Sequence, residues 1–235
     1  MILYFMIEKK PCIVLFGLAG SGKGTQGDVL SNKHSFIRIA PGDILRSKIE
    51  EGTLPLNVSE SIKAGNLVDP MDVTKIVMNY IRESSKKDEI KGYVLDGFPR
   101  NMEQDNLFKG LLKEDEGVDA VLFFDIKKEI LLDRLKNRFY CKSCNAVYNK
   151  VTKPTKIEGI CDVCGSDQLM FRNDDADITS INKRFEIFTR ETVSVIEGYK
   201  LNNFVWTIDA SLSPEEIASQ IDKWIVEKIK VWKNI

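Results

Sequence analysis

Residues 17–25 form a glycine-rich loop with a lysine and a threonine, a combination that could bind phosphate. The loop reads Gly17-Leu-Ala-Gly-Ser-Gly-Lys-Gly-Thr25 and follows the apolar stretch Cys12–Phe16. Glycines let the backbone curl around a phosphate, so that its N–H groups form an anion nest at a helix N-terminus. Lys23 would reach the outer phosphates, and the Thr25 hydroxyl could serve Mg²⁺ or a phosphate oxygen. Gly24 separates the lysine from the hydroxyl, so the general P-loop pattern is met with a shift of one residue. A simple turn would not require a lysine there, and the loop predicts nucleoside triphosphate binding.

A second polar group comes at the end of another apolar stretch. The segment Gly92-Tyr-Val-Leu-Asp-Gly-Phe-Pro-Arg100 places Asp96 at the carboxyl end of a predicted strand. In open parallel sheets, ligands bind at that edge. An aspartate there, next to a P-loop, would be positioned toward Mg²⁺. A strand-end aspartate that only caps a turn is the alternative interpretation.

Arginines are placed around the same predicted cleft. Arg100 follows the Asp96 strand, and Arg134 and Arg138 are predicted four residues apart on one face of a helix. Arg172 and Arg184 come after the cysteine-containing segment. Each alone could be a solvated surface charge, but together they supply what phosphoryl transfer needs, because guanidinium groups neutralise the equatorial oxygens without a protein nucleophile.

Four of the five cysteines have the spacing of a metal site. Two Cys-x-x-Cys pairs, Cys141/Cys144 and Cys161/Cys164, are separated by 16 residues. Two such knuckles can supply four thiolates to a tetrahedral Zn²⁺, and a site closed by four protein ligands is structural rather than catalytic. Disulfides or free thiols are the alternative. Cys12 is expected to be a buried apolar residue, and the only histidine, His34, a surface or packing residue.

Composition indicates a water-soluble globular protein. The 235 residues include 34 basic and 35 acidic ones, which give a net charge of −1 and no indication of a nucleic-acid or membrane surface. No apolar run approaches the length of a membrane-spanning helix. The apolar start, residues 1–7, is followed rather than preceded by its charges and lacks a signal-peptide cleavage site, so a cytoplasmic protein is expected.

Buried strand patterns alternate with helical ones along the chain, which predicts a parallel sheet covered on both faces. The predicted strands are 13–16, 93–95, 120–124 and 204–208, and the predicted helices include 25–32, 73–84, 128–138 and 178–200. A last helix follows Ser213-Pro214-Glu215-Glu216, with an apolar stripe of Ile217, Ile221, Trp224, Ile225 and Ile229. Residues 40–68 and 139–175 do not fit the alternation and are predicted to be insertions.

In their order and type, these motifs resemble the adenylate kinase family in its long-lid, zinc-containing form. Residues 17–25 with Gln26 resemble its P-loop, in which Gly-Thr after the lysine is normal. Residues 42–46 and 65–68 resemble the two ends of its monophosphate-binding insertion, and residues 96–100 with Gln104 resemble its AMP-holding segment. The resemblance implies an α/β fold with a P-loop core (1–39, 69–138 and 176–235), a helical AMP-binding insertion (40–68) and a zinc-ribbon-like lid (139–175).

The same resemblance implies Mg²⁺-dependent transfer of a phosphoryl group from ATP to AMP, giving two ADP. The charge balance predicts neither nucleic-acid nor membrane binding, and no surplus apolar face requires a partner, so a monomer is expected. Lys23, Asp96, Arg100, Arg138, Arg172 and Arg184 would be catalytic. ATP would meet Gly20, Ser21, Gly22, Lys23, Gly24, Thr25, Arg138, Val147, Tyr148 and Leu212. AMP would meet Pro41, Arg46, Asn66, Leu67, Val68, Gly97, Phe98, Pro99, Arg100, Gln104, Arg172 and Arg184. Asp174 and Asp175 would orient the lid arginines, and the four cysteines would hold one Zn²⁺.

The chain departs from the sequence pattern of the family at two positions, and two alternative functions stay open. Pro41 stands where the family usually has a threonine near the AMP base, and Ala19 replaces a common proline in the loop. A kinase of GMP, UMP or CMP is therefore one alternative. A P-loop ATPase whose zinc ribbon binds nucleic acid or a protein partner is the other.

Overall fold

The computed structural model describes residues 10–53, 68–113, 116–171, 175, 178–202 and 204–232. The strands are β1 (Cys12–Gly17), β2 (Phe36–Ile39), β3 (Gly92–Asp96), β4 (Ala120–Asp125), β5 (Arg138–Cys141), β6 (Val147–Asn149), β7 (Leu169–Phe171) and β8 (Val205–Asp209). The helices are α1 (Lys23–His34), α2 (Pro41–Glu50), α3 (Pro70–Ser85), α4 (Met102–Leu111), α5 (Lys128–Lys136), α6 (Ile178–Ile187), α7 (Val193–Leu201) and α8 (Pro214–Trp232), and a π-helical turn (Phe188–Thr192) joins α6 to α7.

The main sheet is parallel throughout, with strand order β2-β3-β1-β4-β8. Along the central strand β1, Val14 and Phe16 pack into one apolar cluster, and Ile13 and Leu15 pack into another. Because side chains of a strand alternate between the two faces, both faces of the sheet are buried against helices. This confirms the predicted fold class and the four predicted strands. The prediction did not include β2, whose two middle residues are only half buried.

Local signals fix the starts of several helices. Asp69 caps α3 by accepting hydrogen bonds from the N–H groups of Met71 and Asp72, at 2.9 and 3.2 Å. Ser213 and Glu216 form a reciprocal capping box at the start of α8, as the sequence suggested. The α8 stripe is core, since Ile217, Ile221 and Ile225 are buried.

A small antiparallel sheet of order β6-β5-β7 lies almost entirely within the predicted lid, with Cys141 at the end of β5 and the other three cysteines in the adjoining loops. Arg138 is the first residue of β5, because α5 ends two residues earlier at Lys136. The prediction that Arg134 and Arg138 share a helix face was therefore wrong. The helical pattern of residues 128–138 continued past the residue where the chain turns into the lid. Among the described residues, no helix combines the length and the apolar character needed to cross a bilayer.

Candidate active site

The carboxyl ends of β1 and β3 open into a cleft of about 370 Å³. Most of the predicted nucleotide contacts line it, namely Gly20, Ser21, Gly22, Lys23, Gly24, Thr25, Arg46, Asp96, Gly97, Pro99, Arg100, Arg138, Val147, Tyr148, Arg184 and Leu212. Pro41, Val68, Phe98 and Gln104 do not line it. Asn66, Leu67, Arg172 and Asp174 lie outside the described residues.

The P-loop needs glycine at specific positions. Gly20 and Gly22 both have φ of 91°, in the region that L side chains rarely adopt, and Gly22 is the residue before α1. Ser21 is buried, and its hydroxyl has no hydrogen-bond partner among the described residues. Since buried hydroxyls are normally satisfied, this one is suited to a ligand oxygen in the loop. The geometry thus fits a phosphate held at the N-terminus of α1.

Lys23, the first residue of α1, is held over the loop by a hydrogen bond from its ammonium to the Leu18 carbonyl, at 3.3 Å. Burial, together with the smaller effects of the Arg100 and Arg138 charges, lowers the pKa of Lys23 to about 8 against the opposing attraction of Asp96. The cleft therefore concentrates positive charge around its lysine. An anionic ligand in the cleft would offset the repulsion between Lys23 and these arginines.

Asp96 ends β3 with its carboxylate buried against a guanidinium that sequence reasoning missed. Arg38 of β2 donates to Asp96 Oδ2 from Nε at 3.0 Å and from Nη2 at 2.5 Å. It also contacts Asp43 at 3.1 Å and Asp28 at 3.4 Å. Burial alone would lower the pKa of Arg38, but Asp96 and the other two carboxylates raise it instead. A charged residue within the short, otherwise apolar run of β2 was the available signal.

The predicted AMP-holding segment is built on a buried anchor. Phe98 is fully buried and packs edge-on against Phe108 of α4, with ring centroids 5.4 Å apart. Gln104 is also buried, and its side-chain oxygen accepts the Arg100 N–H at 2.8 Å. The Arg100 guanidinium turns back to donate to the Gly97 carbonyl at 3.0 Å. The buried side chains of Phe98 and Gln104 therefore stabilise this loop, whereas the side chain of Arg100 lines the cleft.

Two elements hold Arg100 and Arg46 beside each other. Thr192 of the π-helical turn is buried and donates to the Arg100 carbonyl at 2.8 Å. Arg46 projects from α2, where it forms an ion pair with Asp43.

Pro41 begins α2 and is itself buried. Val68 packs against the main core cluster at its half-buried edge.

Asp175 joins the two arginines on the lid side of the cleft. Its buried carboxylate accepts from Arg138 Nε and Nη2, both at 2.6 Å, and from Arg184 Nη1 at 3.0 Å. Bidentate guanidinium–carboxylate pairs are both strong and geometrically specific. Asp175 therefore orients β5 and α6 relative to each other, as predicted for an acid beside the lid arginines.

Arg134 has a different role from the one its sequence position suggested. Its guanidinium donates to the carbonyls of Ala210, Ser211 and Leu212, at 2.6, 3.3 and 3.2 Å. It orders the loop between β8 and α8 that lines the cleft at Leu212. The side-chain amide of Gln26 fixes the far end of that loop by donating to the Pro214 carbonyl at 2.8 Å.

Tyr148 and Val147 belong to β6, on the lid face of the cleft. The Tyr148 hydroxyl lies 3.2 Å from Cys161 Sγ and accepts the Asp162 N–H at 2.8 Å. Its ring stacks on Phe139 with centroids 5.5 Å apart. Tyr148 thus connects the cleft wall to the cysteine cluster beneath it.

The four predicted cysteines form one cluster whose geometry fits a metal. Their Sγ atoms all lie within 4.8 Å of one another, and the closest separations are 3.5 Å (Cys144 to Cys161) and 3.6 Å (Cys141 to Cys164). Zn–S bonds of about 2.3 Å imply S···S edges of about 3.8 Å in a tetrahedron. At these separations no disulfide is formed among the four, and Cys12 is not in a disulfide either.

The two knuckles repeat the same backbone geometry. Asn145 N–H donates to Cys141 O at 2.8 Å, and Gly165 N–H donates to Cys161 O at 2.9 Å. Asn145 and Gly165 both have positive φ, of 59° and 73°. This turn aims both thiols of a pair at one point, so the residues present suit a closed tetrahedral site.

The sheet, the P-loop and the surrounding arginines place this chain in the class of P-loop nucleotide-binding proteins. A family model described as Adenylate kinase matches residues 15–204. Curated relatives named Adenylate kinase include that of Rickettsia africae (strain ESF-5), 34% identical over 90% of this chain and 97% of the relative. Those of Rickettsia bellii (strain RML369-C) and Orientia tsutsugamushi (strain Boryong) are 36% and 38% identical, with the same coverage. The chain belongs to the adenylate kinase family, and this membership makes it an enzyme of the nucleoside monophosphate kinase type.

Proposed function

We propose that the protein transfers the γ-phosphoryl group of ATP to AMP, reversibly and with Mg²⁺, and forms two ADP in the described cleft. The observation that carries the proposal is the convergence of Lys23, Arg46, Arg100, Arg138 and Arg184 on one cleft beside a P-loop. Five cationic side chains in one cleft are more than a single nucleotide needs for charge neutralisation, and they suit two bound nucleotides. An ATPase would need only the P-loop side.

The proposed reaction needs positioning and charge neutralisation more than proton transfer. An oxygen of the AMP phosphate, already an anion, would form the bond to the γ-phosphorus in line with the breaking bond to the β,γ-bridging oxygen. ADP would leave with that electron pair. No general base is required, which agrees with a chain whose only histidine, His34, pairs with Asp222 outside the cleft.

On the ATP side, we assign the β- and γ-phosphates to the loop 20–25 and to Lys23. The buried Ser21 hydroxyl and the N-terminus of α1 support this assignment. Leu212, in the loop held by Arg134, would meet the adenine through its main chain. Val147 and Tyr148 would close over it from the lid.

On the AMP side, we assign the acceptor phosphate to Arg46 and Arg100, together with Arg172, which lies outside the described residues. Arg138 and Arg184 would neutralise the transferring group, because Asp175 already aligns their guanidinium groups. Asn66, Leu67, Val68 and Gln104 stay predictions for the base. Pro41, which has no hydroxyl, is the reason to test other monophosphates.

Two metals belong to the proposal. Asp96 would hold Mg²⁺ through water, and when bound with ATP that ion would neutralise the β,γ-oxygens. Cys141, Cys144, Cys161 and Cys164 would hold one Zn²⁺, which would stabilise a lid with a small apolar core. We also propose that the predicted ranges 40–68 and 139–175 close over the nucleotides and exclude water.

The test is disproportionation of ADP. Purified protein given only ADP and Mg²⁺ should form ATP and AMP in equal amounts, and chelation of Mg²⁺ should stop it. Arg100→Ala and Lys23→Ala should each lose on the order of 10²-fold or more in kcat/KM. The matched controls Arg190→Ala and Lys86→Ala alter exposed residues that do not line the cleft and should keep activity. Release of phosphate without AMP formation would refute the proposal.

A further inference from the structure

Arg38 is a cation of the cleft to which the proposed function assigns no role. It lies on β2, and its guanidinium lines the same cleft as Lys23 and Asp96. Its side chain is 22% exposed, whereas that of Asp96 is only 7% exposed. The ion pair between them is therefore mostly removed from water, where it is screened less than a surface pair.

The start of α1 is shaped to admit this side chain. A Cβ at Gly24 would lie 3.0 Å from Arg38 Nη2, and one at Gly27 would lie 2.8 Å from Arg38 Cδ. Neither glycine has a positive φ, so the backbone itself would accept another residue at either position. The space at Gly24 and Gly27 is taken up by Arg38, which reaches across α1 to the end of β3.

The contact is made to one oxygen of the carboxylate. Arg38 Nε and Nη2 both donate to Asp96 Oδ2, and neither is in hydrogen-bond contact with Oδ1. The same Nη2 contacts Asp43 on α2, which in turn pairs with Arg46. Arg38 thus fixes the Asp96 carboxylate from one side and adds a positive charge close to the place proposed for Mg²⁺.

We infer that Arg38 is a positioning residue that sets how strongly Mg²⁺ and nucleotide depend on each other in this cleft. The inference rests on the proposed function. The Arg38 charge repels a divalent cation near Asp96 and attracts the more negative, metal-free nucleotide. Both effects reduce the advantage of the magnesium complex over free ATP. Removing the charge should make binding more dependent on Mg²⁺.

The experiment is calorimetric titration with a non-hydrolysable ATP analogue, once with excess EDTA and once with saturating Mg²⁺. The ratio of the two dissociation constants measures the coupling between metal and nucleotide, independently of turnover. For Arg38→Gln the ratio, EDTA over Mg²⁺, should rise by about tenfold, because one unit charge a few ångströms away acts on both ligands in a partly screened site. Arg38→Lys keeps the charge and should stay within about twofold of the wild type on the same argument.

The matched control is Arg190→Gln, which removes the same charge from an exposed position whose side chain is 70% accessible. Its ratio should equal that of the wild type. An Arg38→Gln ratio that is unchanged or lower would overturn the inference, as would an equal rise in Arg190→Gln. Should Arg38→Gln fail to fold, a rise in the ratio for Arg38→Lys as large as tenfold would overturn it, since geometry rather than charge would then be responsible. Failure of the proposed function is measured separately, because a wild type that binds the analogue but does not convert ADP to ATP and AMP would refute that function whatever its ratio.

Discussion

The Asp175→Asn variant is expected to destabilise the nucleotide-free protein strongly. The side chain of Asp175 is 3% exposed, and those of its partners Arg138 and Arg184 are 14% and 28% exposed. Removing one member of a buried ion pair costs about 3–5 kcal/mol, because the remaining charge stays buried without compensation. Here two guanidinium groups would face each other. Because asparagine can still accept one hydrogen bond, we expect about 3 kcal/mol in the free energy of unfolding.

That loss can be read from thermal unfolding followed by circular dichroism. For a chain of this length, 1 kcal/mol corresponds to about 2–4 °C, so the midpoint should fall by about 6–12 °C. Glu197→Gln is the matched control, since it breaks an exposed pair with Lys200 and should cost at most about 1 kcal/mol. Saturating ADP should reduce the difference in unfolding midpoint between Asp175→Asn and the wild type, because the phosphates of ADP supply negative charge to Arg138 and Arg184. Equal midpoints for Asp175→Asn and Glu197→Gln without nucleotide would refute the reasoning.

Three further outcomes are expected. Metal analysis should find one zinc per chain in wild-type protein purified without chelator. The Cys144→Ser variant should contain none, whereas the control Cys12→Ala should retain its zinc. Wild-type protein without zinc would contradict the proposed site. Leu122→Ala should lower the free energy of unfolding, measured by urea denaturation, by about 2–5 kcal/mol because the side chain is fully buried. Leu201 is 87% exposed, so Leu201→Ala should lower it by about 0.5 kcal/mol or less. Similar losses in the two variants would contradict the assigned core. Burial lowers the pKa of Lys23 from 10.5 to about 8, so between these values the unfolded chain holds a proton that the folded chain has lost. The free energy of unfolding should therefore rise by about 2–3 kcal/mol from pH 8 to 10.5 relative to Lys23→Met, and parallel pH profiles of the two proteins would show that this pKa shift is absent.

The elements that bury apolar faces and the motifs with fixed chemistry could be predicted from the sequence. The strand before the P-loop and the Asp96 strand are short apolar runs bounded by glycine or proline, and the α8 stripe has helical spacing. The two Cys-x-x-Cys pairs define their own ligand set through spacing. The fold class and the family could therefore be predicted from the sequence alone.

Contacts between residues distant in the sequence could not be predicted in the same way. Arg38 meets Asp96 only because β2 and β3 are neighbours in the sheet, and β2 was too short and too half-buried to be recognised. Arg134 contacts the 210–212 loop 76 to 78 residues away. Arg138 was assigned to a helix because an i, i+4 spacing persists locally, whereas the chain leaves the helix to start the lid sheet. In each case tertiary pairing, and not local pattern, decides the role.

The most direct test of the central proposal is ADP formation from Mg-ATP with AMP, GMP, UMP or CMP, beside a control with ATP alone. We predict ADP only with AMP, at a rate that Arg190→Ala keeps and Arg100→Ala loses. ADP formed with another monophosphate instead would keep the site and move the acceptor. Loss of ATP at the same rate with and without every acceptor would contradict the account.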